Sequence, residues 1–67
     1  MNYYKAALVY KLTNQGLVNF EKRTLTVNAI DEKEAFQTLL IKAAQTLLSL
    51  QKDNPHWEYI GLHEFEN

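Results

Sequence analysis

The side chains best able to do chemistry in this sequence are two histidines and three glutamates near its C-terminus. His56 and His63 are seven residues apart in or beside one extended segment, so their side chains are predicted to point to opposite faces. Ligands of a metal ion must converge from one side, so we expect no metal site. Glu58, Glu64 and Glu66 share one strand parity. Acid–base chemistry needs at least one carboxyl group in an apolar pocket, so these glutamates are expected to form a solvated strand edge.

The other residue types also lack a catalytic pattern. Ser49 is the only serine and lies inside a helical segment, and the chain has no cysteine. Gly16 and Gly61 are too far apart to form a glycine-rich phosphate loop. We therefore expect no catalytic residue, no cofactor and no enzymatic activity.

Two alternating segments predict a β-hairpin. In residues 3–13 one parity is uniformly apolar, which is typical of a strand with that face on a core. A second β-rich run covers residues 17–29, and Asn14-Gln15-Gly16 supplies the turn between them. Phe20 breaks the alternation of the second run. Either it faces the other side of the sheet, or a bulge near Glu21 and Lys22 switches the parity.

A helix and a third strand complete the chain. Asp31 with Glu34 three residues later resembles a capping box, and residues 32–52 contain neither Gly nor Pro. Pro55 ends the helix, and a strand is predicted over about residues 56–65. Residues 1–67 then form a single α+β domain. It is a two-layer ββαβ sandwich with a three-stranded antiparallel sheet, order 2-1-3, and one long helix on one face.

The helix carries more apolar surface than one sheet can cover. Its core stripe is predicted to hold Phe36, Leu39, Leu40, Ala43, Leu47 and Leu50. Ile41, Ala44 and Leu48 form a second stripe, centred roughly 110° round the helix from the first. This stripe either packs on strand edges or the tail, or it is an oligomer contact. We expect Leu48→Glu or Ile41→Glu to disrupt assembly without unfolding the monomer.

The far face of the sheet is predicted to be an open aromatic surface. Ile60 and Leu62 share one parity of strand 3, while Trp57, Tyr59 and Phe65 share the other, and both sets cannot face one helix. The candidate interface residues on this open face are Tyr3, Val9, Phe20, Trp57 and Tyr59. Gly61 inside strand 3 is expected to mark a bulge or a close approach by a ring such as Tyr10.

Size and charge bound the function. A chain of 67 residues without cysteine must gain stability from packing or from a partner subunit. A net charge of −1 gives no overall attraction for nucleic acid or anionic membrane. No apolar run is long enough to span a membrane and no signal peptide is recognisable, so we expect a cytoplasmic protein, in the host cytoplasm if it is phage-encoded.

The layout resembles a family of small uncharacterised bacterial domains. The matching pieces are residues 4–12, Val27-Asn28-Ala29, Asp31 to Ala35, and Trp57-Glu58-Tyr59-Ile60-Gly61-Leu62. The family has no assigned activity, so the resemblance implies a strand-strand-helix-strand fold and a bacterial or phage setting, and no active residues.

These observations predict a non-enzymatic protein–protein interaction module. It would be a small bacterial or phage accessory or inhibitor protein acting as a homo-oligomer, with another protein as a further potential partner. One alternative is a single-stranded nucleic-acid binder that uses the open aromatic face. Another is an oligomer with a small-molecule pocket at the subunit interface.

Overall fold

The chain folds as a β-hairpin, a long helix and a third strand. The computed structural model describes residues 2–67; Met1, which the predicted domain includes, lies outside the described residues. The elements are β1 (Asn2–Asn14), β2 (Leu17–Ala29), α1 (Glu32–Asp53) and β3 (Trp57–Glu66). The sheet is antiparallel with order β2-β1-β3, and α1 packs on one face, so the predicted α+β sandwich is confirmed.

The hairpin is regular along its whole length. β1 pairs with β2 without a register shift, from Asn2↔Ala29 to Asn14↔Leu17. The two-residue turn has positive φ at both Gln15 (51°) and Gly16 (80°), the signature of a type I′ turn. Because the register is unbroken, Phe20 lies on the face opposite the helix, and no bulge occurs near Glu21 and Lys22.

Local signals define both ends of α1. Asp31 is the N-cap, and its side chain accepts a hydrogen bond from the Glu34 N–H at 2.9 Å. Glu34 in turn accepts from the Ile30 N–H at 3.4 Å. At the other end Asn54 is extended before Pro55, and its N–H donates to the Leu50 carbonyl.

The core lies between α1 and the helix-facing side of the sheet and contains two clusters. The first surrounds Tyr4, Ala6, Val27, Ala29, Ala35 and Leu39. The second surrounds Leu8, Tyr10 and Ala43. Small residues at Ala35 and Ala43 allow the helix backbone to lie close to the sheet. This places the buried side of α1 on Ala35, Leu39 and Ala43, whereas Phe36 and Leu40, predicted as core, remain 44% and 41% exposed.

β3 contains two register shifts, which correct the sequence interpretation of this strand. One lies at Ile60, between the pairs Val9↔Gly61 and Tyr10↔Tyr59. The other lies between Ala7↔His63 and Lys5↔Glu66, where Glu64 has a positive φ of 56°. Each bulge moves the following residues to the opposite face. Members of both parity sets of β3 therefore face the helix: Trp57, Tyr59, Leu62 and Phe65 pack against the core clusters, whereas Ile60 stays exposed.

Candidate functional site

The surface that stands out is the outward side of α1, formed by Leu40, Ile41, Ala44 and Leu48 and called here the outward ridge. Ile41 is 60% exposed and Leu48 is 64% exposed. At 100° per residue, Ile41, Ala44 and Leu48 lie about 140° to 200° round the helix from the buried side. They point away from the sheet, so the alternative in which this stripe packs on strand edges or the tail is not what the structure shows.

Polar side chains border the outward ridge. Gln37 and Gln51 continue its line towards the two helix ends, and Gln51 also donates from Nε2 to the Trp57 carbonyl at 3.0 Å. Glu34 lies in the first turn of α1 and Lys52 in the last. An apolar centre with a polar border is the usual composition of a protein interface.

A shallow depression adjoins the outward ridge on the side nearer β3. It has a volume of about 810 Å³ and is mostly apolar, and it is lined by Glu32, Lys33, Phe36, Gln37, Leu40 and Phe65. The Phe36 and Phe65 rings meet edge to face, with centroids 6.2 Å apart, and Phe65 stacks on Tyr4 at 5.9 Å. The depression therefore has an aromatic wall and extends the apolar surface around Leu40.

The open face of the sheet holds three of its five predicted residues. Tyr3 (67% exposed), Phe20 (66% exposed) and the half-buried Val9 lie on this face. Trp57 and Tyr59 do not: they pack against the cluster of Leu8, Tyr10 and Ala43 on the helix side. The prediction that placed them on the open face is wrong, because it treated β3 as an unbroken alternation and missed the bulge at Ile60.

Charges cross the middle of the open face. The Lys22 ammonium, on β2, contacts the Glu64 carboxylate on β3 at 3.0 Å and so passes over the central strand. This hydrogen bond and the positive charge of Lys22 hold the pKa of Glu64 below its ordinary value. His63 Nε2 lies 3.8 Å from the same carboxylate. The centre of this face is thus an exposed ion pair rather than an apolar patch.

Gly61 lies beside this ion pair and has no close neighbour on its open side. A Cβ built there would meet nothing within 4 Å, so the prediction that a ring lies over Gly61 is wrong. The missing side chain leaves a small hollow of about 290 Å³ lined by Val9, Ile60, Gly61, Leu62 and His63. The bulge that glycine was expected to mark is present next to it, at Ile60.

The two sheet edges differ in how well they resist further pairing. β3 is interrupted by two bulges and carries Glu58, Glu64 and Glu66, features that discourage strand addition. β2 pairs in unbroken register over 13 residues and has neither proline nor bulge. Its turn-proximal end exposes Leu17, Val18 and Phe20.

Within residues 2–67 there is no group of three or more His, Cys, Asp or Glu side chains able to hold a metal ion. Over the same residues, no helix is long and apolar enough to span a membrane. Comparison with known proteins finds no family model, no curated protein and no solved structure that matches this chain. The resemblance to small bacterial domains therefore remains an expectation from the sequence.

Proposed function

We propose that this protein is a non-enzymatic protein-binding module whose contact surface is the outward ridge of α1. The observation that carries the proposal is the exposure of Ile41 and Leu48 on the side of a capped 22-residue helix that points directly away from the core. Each apolar Å² removed from water contributes roughly 25 cal/mol, so a partner that covers the ridge gains free energy without any rearrangement of this domain.

A role as a small bacterial or phage accessory or inhibitor protein fits such a module. Inhibition by occupying a partner's surface needs a rigid contact area and no catalytic group. The outward ridge meets this need because α1 is held by the cluster of Leu8, Tyr10 and Ala43 and by caps at both ends. Helical ridges of this kind are a common way to fill an apolar groove.

Nucleic-acid binding gains no support from the geometry. Tyr3 and Phe20 are the exposed aromatic residues left from the predicted open-face set. Phe20 pairs with Lys11, eight residues from Tyr3 on β1, so the two rings are about 27 Å apart at about 3.4 Å per residue. They cannot stack neighbouring bases, and Lys22 is already paired with Glu64.

The small-molecule alternative has one observation in its favour. The depression beside Phe36, Leu40 and Phe65 adjoins the outward ridge, so a partner seated on the ridge would also border this depression. A shallow apolar hollow becomes an enclosed site when a second surface covers it. This alternative thus depends on the same contact as the main proposal.

Site-specific photo-crosslinking tests the proposed contact surface. A benzophenone amino acid at position 41 should give adducts with a polypeptide in the cells that make this protein, and mass spectrometry of the adduct identifies it. The same group at Ser49, which is exposed on the polar side of α1, is the matched control and should give none. Adding Leu48→Glu should abolish the adduct at position 41. No adduct from position 41, or equal adducts from both positions, would contradict the proposal.

A further inference from the structure

We infer that the outward ridge binds a second copy of itself, with the two α1 helices antiparallel and the two-fold axis between the two ridges, at the level of position 43. This inference rests on the proposed function and names the partner of that surface. Three features of α1 support it: the spacing of the ridge residues, the position of the charges beside the ridge, and the closeness of their centres.

The residues of the ridge line follow the spacing of a helix–helix seam. Gln37, Ile41, Ala44, Leu48 and Gln51 are separated by four, three, four and three residues, which is the heptad pattern. Ala44 lies between the two large exposed side chains, Ile41 and Leu48. In an antiparallel pair the Ile41 side chain of each copy lies over Ala44 of the other, so a large residue meets a small one and the helices can approach closely.

The charges beside the seam distinguish antiparallel from parallel packing. Glu34 and Lys52 are separated by five turns at 3.6 residues per turn, so they lie on the same flank of α1 at opposite ends. An antiparallel partner places its Lys52 beside Glu34, and the two-fold symmetry produces a second, equivalent pair at the other end of the contact. A parallel partner would leave each Glu34 level with the other Glu34 on the opposite flank, so neither Glu34 nor Lys52 would meet an opposite charge. In the antiparallel arrangement the positive end of each helix dipole also lies beside the negative end of the other, which is favourable.

Glu34 keeps its charge available for this contact. One carboxylate oxygen accepts a hydrogen bond from the Ile30 N–H at 3.4 Å, which orients the side chain without neutralising it. Each cross-pair would be at least partly exposed at the rim of the interface, where an ion pair contributes at most about 1 kcal/mol. The charges therefore select the direction of the partner helix more than they add affinity.

The apolar and charged features have centres that lie half a residue apart. The midpoint between Glu34 and Lys52 is position 43, and the pairs Ile41 with Ala44 and Gln37 with Leu48 are centred between positions 42 and 43. A two-fold contact requires one patch to be complementary to itself about one axis. One copy of α1 therefore presents to another the large and small residues and the opposite charges that a two-fold contact needs, so we infer a second copy as the partner.

The size of the contact predicts its strength. Standard interfaces bury about 800 Å² per partner, roughly a sixth of the 4735 Å² surface of this chain. A seam along one helix of 22 residues, about 33 Å long, lies at the lower end of this range. We therefore expect a dimer with a dissociation constant on the order of micromolar, in equilibrium with the monomer.

Sedimentation equilibrium tests the dimer. Between about 1 μM and about 1 mM the wild-type mass should rise from 7.8 kDa towards twice that value. Ile41→Glu and Leu48→Glu should each weaken association by at least about tenfold while the circular dichroism spectrum stays unchanged. Ser49→Glu adds the same charge on the polar side of α1 and should leave association unchanged. A wild-type protein that stays monomeric at about 1 mM overturns the inference.

A spin label tests the direction of the helices. Since the chain has no cysteine, Lys33→Cys gives a single labelling position in the first turn of α1, at an exposed residue close to the seam line. An antiparallel dimer centred near position 43 separates the two labels by about 30 Å or more, whereas a parallel dimer brings them within about 20 Å. A short distance overturns the antiparallel arrangement.

The sedimentation and photo-crosslinking results together separate the two levels of the proposal. A monomer that still crosslinks from position 41 to a different protein overturns the self-association and keeps the protein-binding function. A monomer with no adduct from position 41 overturns both.

Discussion

At the scale of single residues, Tyr10 connects the two layers of the fold. Its side chain is fully buried in the central strand, and its hydroxyl donates to the Ala43 carbonyl in the middle of α1 at 2.9 Å. The ring also packs against Tyr59, with centroids 5.6 Å apart. Burial raises the pKa of the Tyr10 hydroxyl above its ordinary value, because a phenolate in this position would lose its hydration.

Tyr10→Phe should lower the free energy of unfolding near neutral pH by about 0.5–1.5 kcal/mol, the usual net value of one hydrogen bond. Because the folded pKa is raised, the contribution of the protonated hydroxyl is complete below the unfolded pKa of about 10 and is lost as pH rises through the folded pKa. The variant should therefore lose less stability than the wild type when urea unfolding is repeated above about pH 10.

Tyr59→Phe is the matched control for this experiment. Burial raises the pKa of Tyr59 as well, but its hydroxyl does not bond to α1 in the described structure. Because Tyr10 is intact in this variant, its free energy of unfolding should still fall above about pH 10 almost as much as in the wild type. Equal pH profiles for wild type and Tyr10→Phe would contradict the role given to the Tyr10 hydroxyl.

At the scale of elements, bulges in β3 decide which surfaces remain exposed. The bulge at Ile60 sends this residue outward, 50% exposed, and allows Tyr59 and Leu62 to face the same core. The bulge at Glu64 does the same for Phe65, at the cost of a left-handed backbone conformation that non-glycine residues rarely adopt. Together they move the aromatic surface of β3 under the helix.

The hairpin turn does not have the residue pair that is preferred for its backbone geometry. A type I′ turn needs positive φ at both central residues, and Asn-Gly is the preferred pair, whereas this chain has Gln15-Gly16. Gln15→Asn should raise the free energy of unfolding by up to about 1 kcal/mol, measured by urea denaturation, because Asn adopts the left-handed conformation more readily than Gln. Gln15→Ala keeps the unfavourable φ and should give no gain, and a gain as large as that of Asn would refute the turn argument.

At the scale of the whole molecule, the domain is elongated and has a small core. The radius of gyration is 13.0 Å, against about 11 Å for a compact chain of this length. The longest dimension, 44 Å, matches the length of the 13-residue strands of the hairpin. β3 starts opposite Leu12, so the end of the hairpin is a two-stranded ribbon on which Leu17, Val18 and Phe20 remain exposed.

A pair of leucine substitutions separates core from surface in this small domain. Leu8→Ala removes a side chain with no exposure and should cost about 2–5 kcal/mol, enough to unfold much of a marginal domain. Leu48→Ala should change monomer stability by less than about 0.5 kcal/mol, measured below the concentration at which the protein associates. A large loss from Leu48→Ala in the monomer would mean that the outward ridge belongs to the core.

The sequence by itself determined the elements and their order. Alternation in β1, the cap at Asp31, the absence of Gly and Pro through the helix, and Pro55 are local signals, so strand and helix limits agree within one residue with prediction. The second apolar stripe at Ile41, Ala44 and Leu48 could also be recognised from spacing alone, because helical periodicity is a property of neighbouring residues.

Only the tertiary structure decided which faces these residues occupy. The sequence could not show the bulges at Ile60 and Glu64, because a bulge is defined by pairing with β1 and has no reliable local signature. It also could not set the rotation of α1, which depends on the small residues Ala35 and Ala43 meeting the sheet. These non-local contacts packed Trp57 and Tyr59 against the core and turned the outward ridge to face solvent.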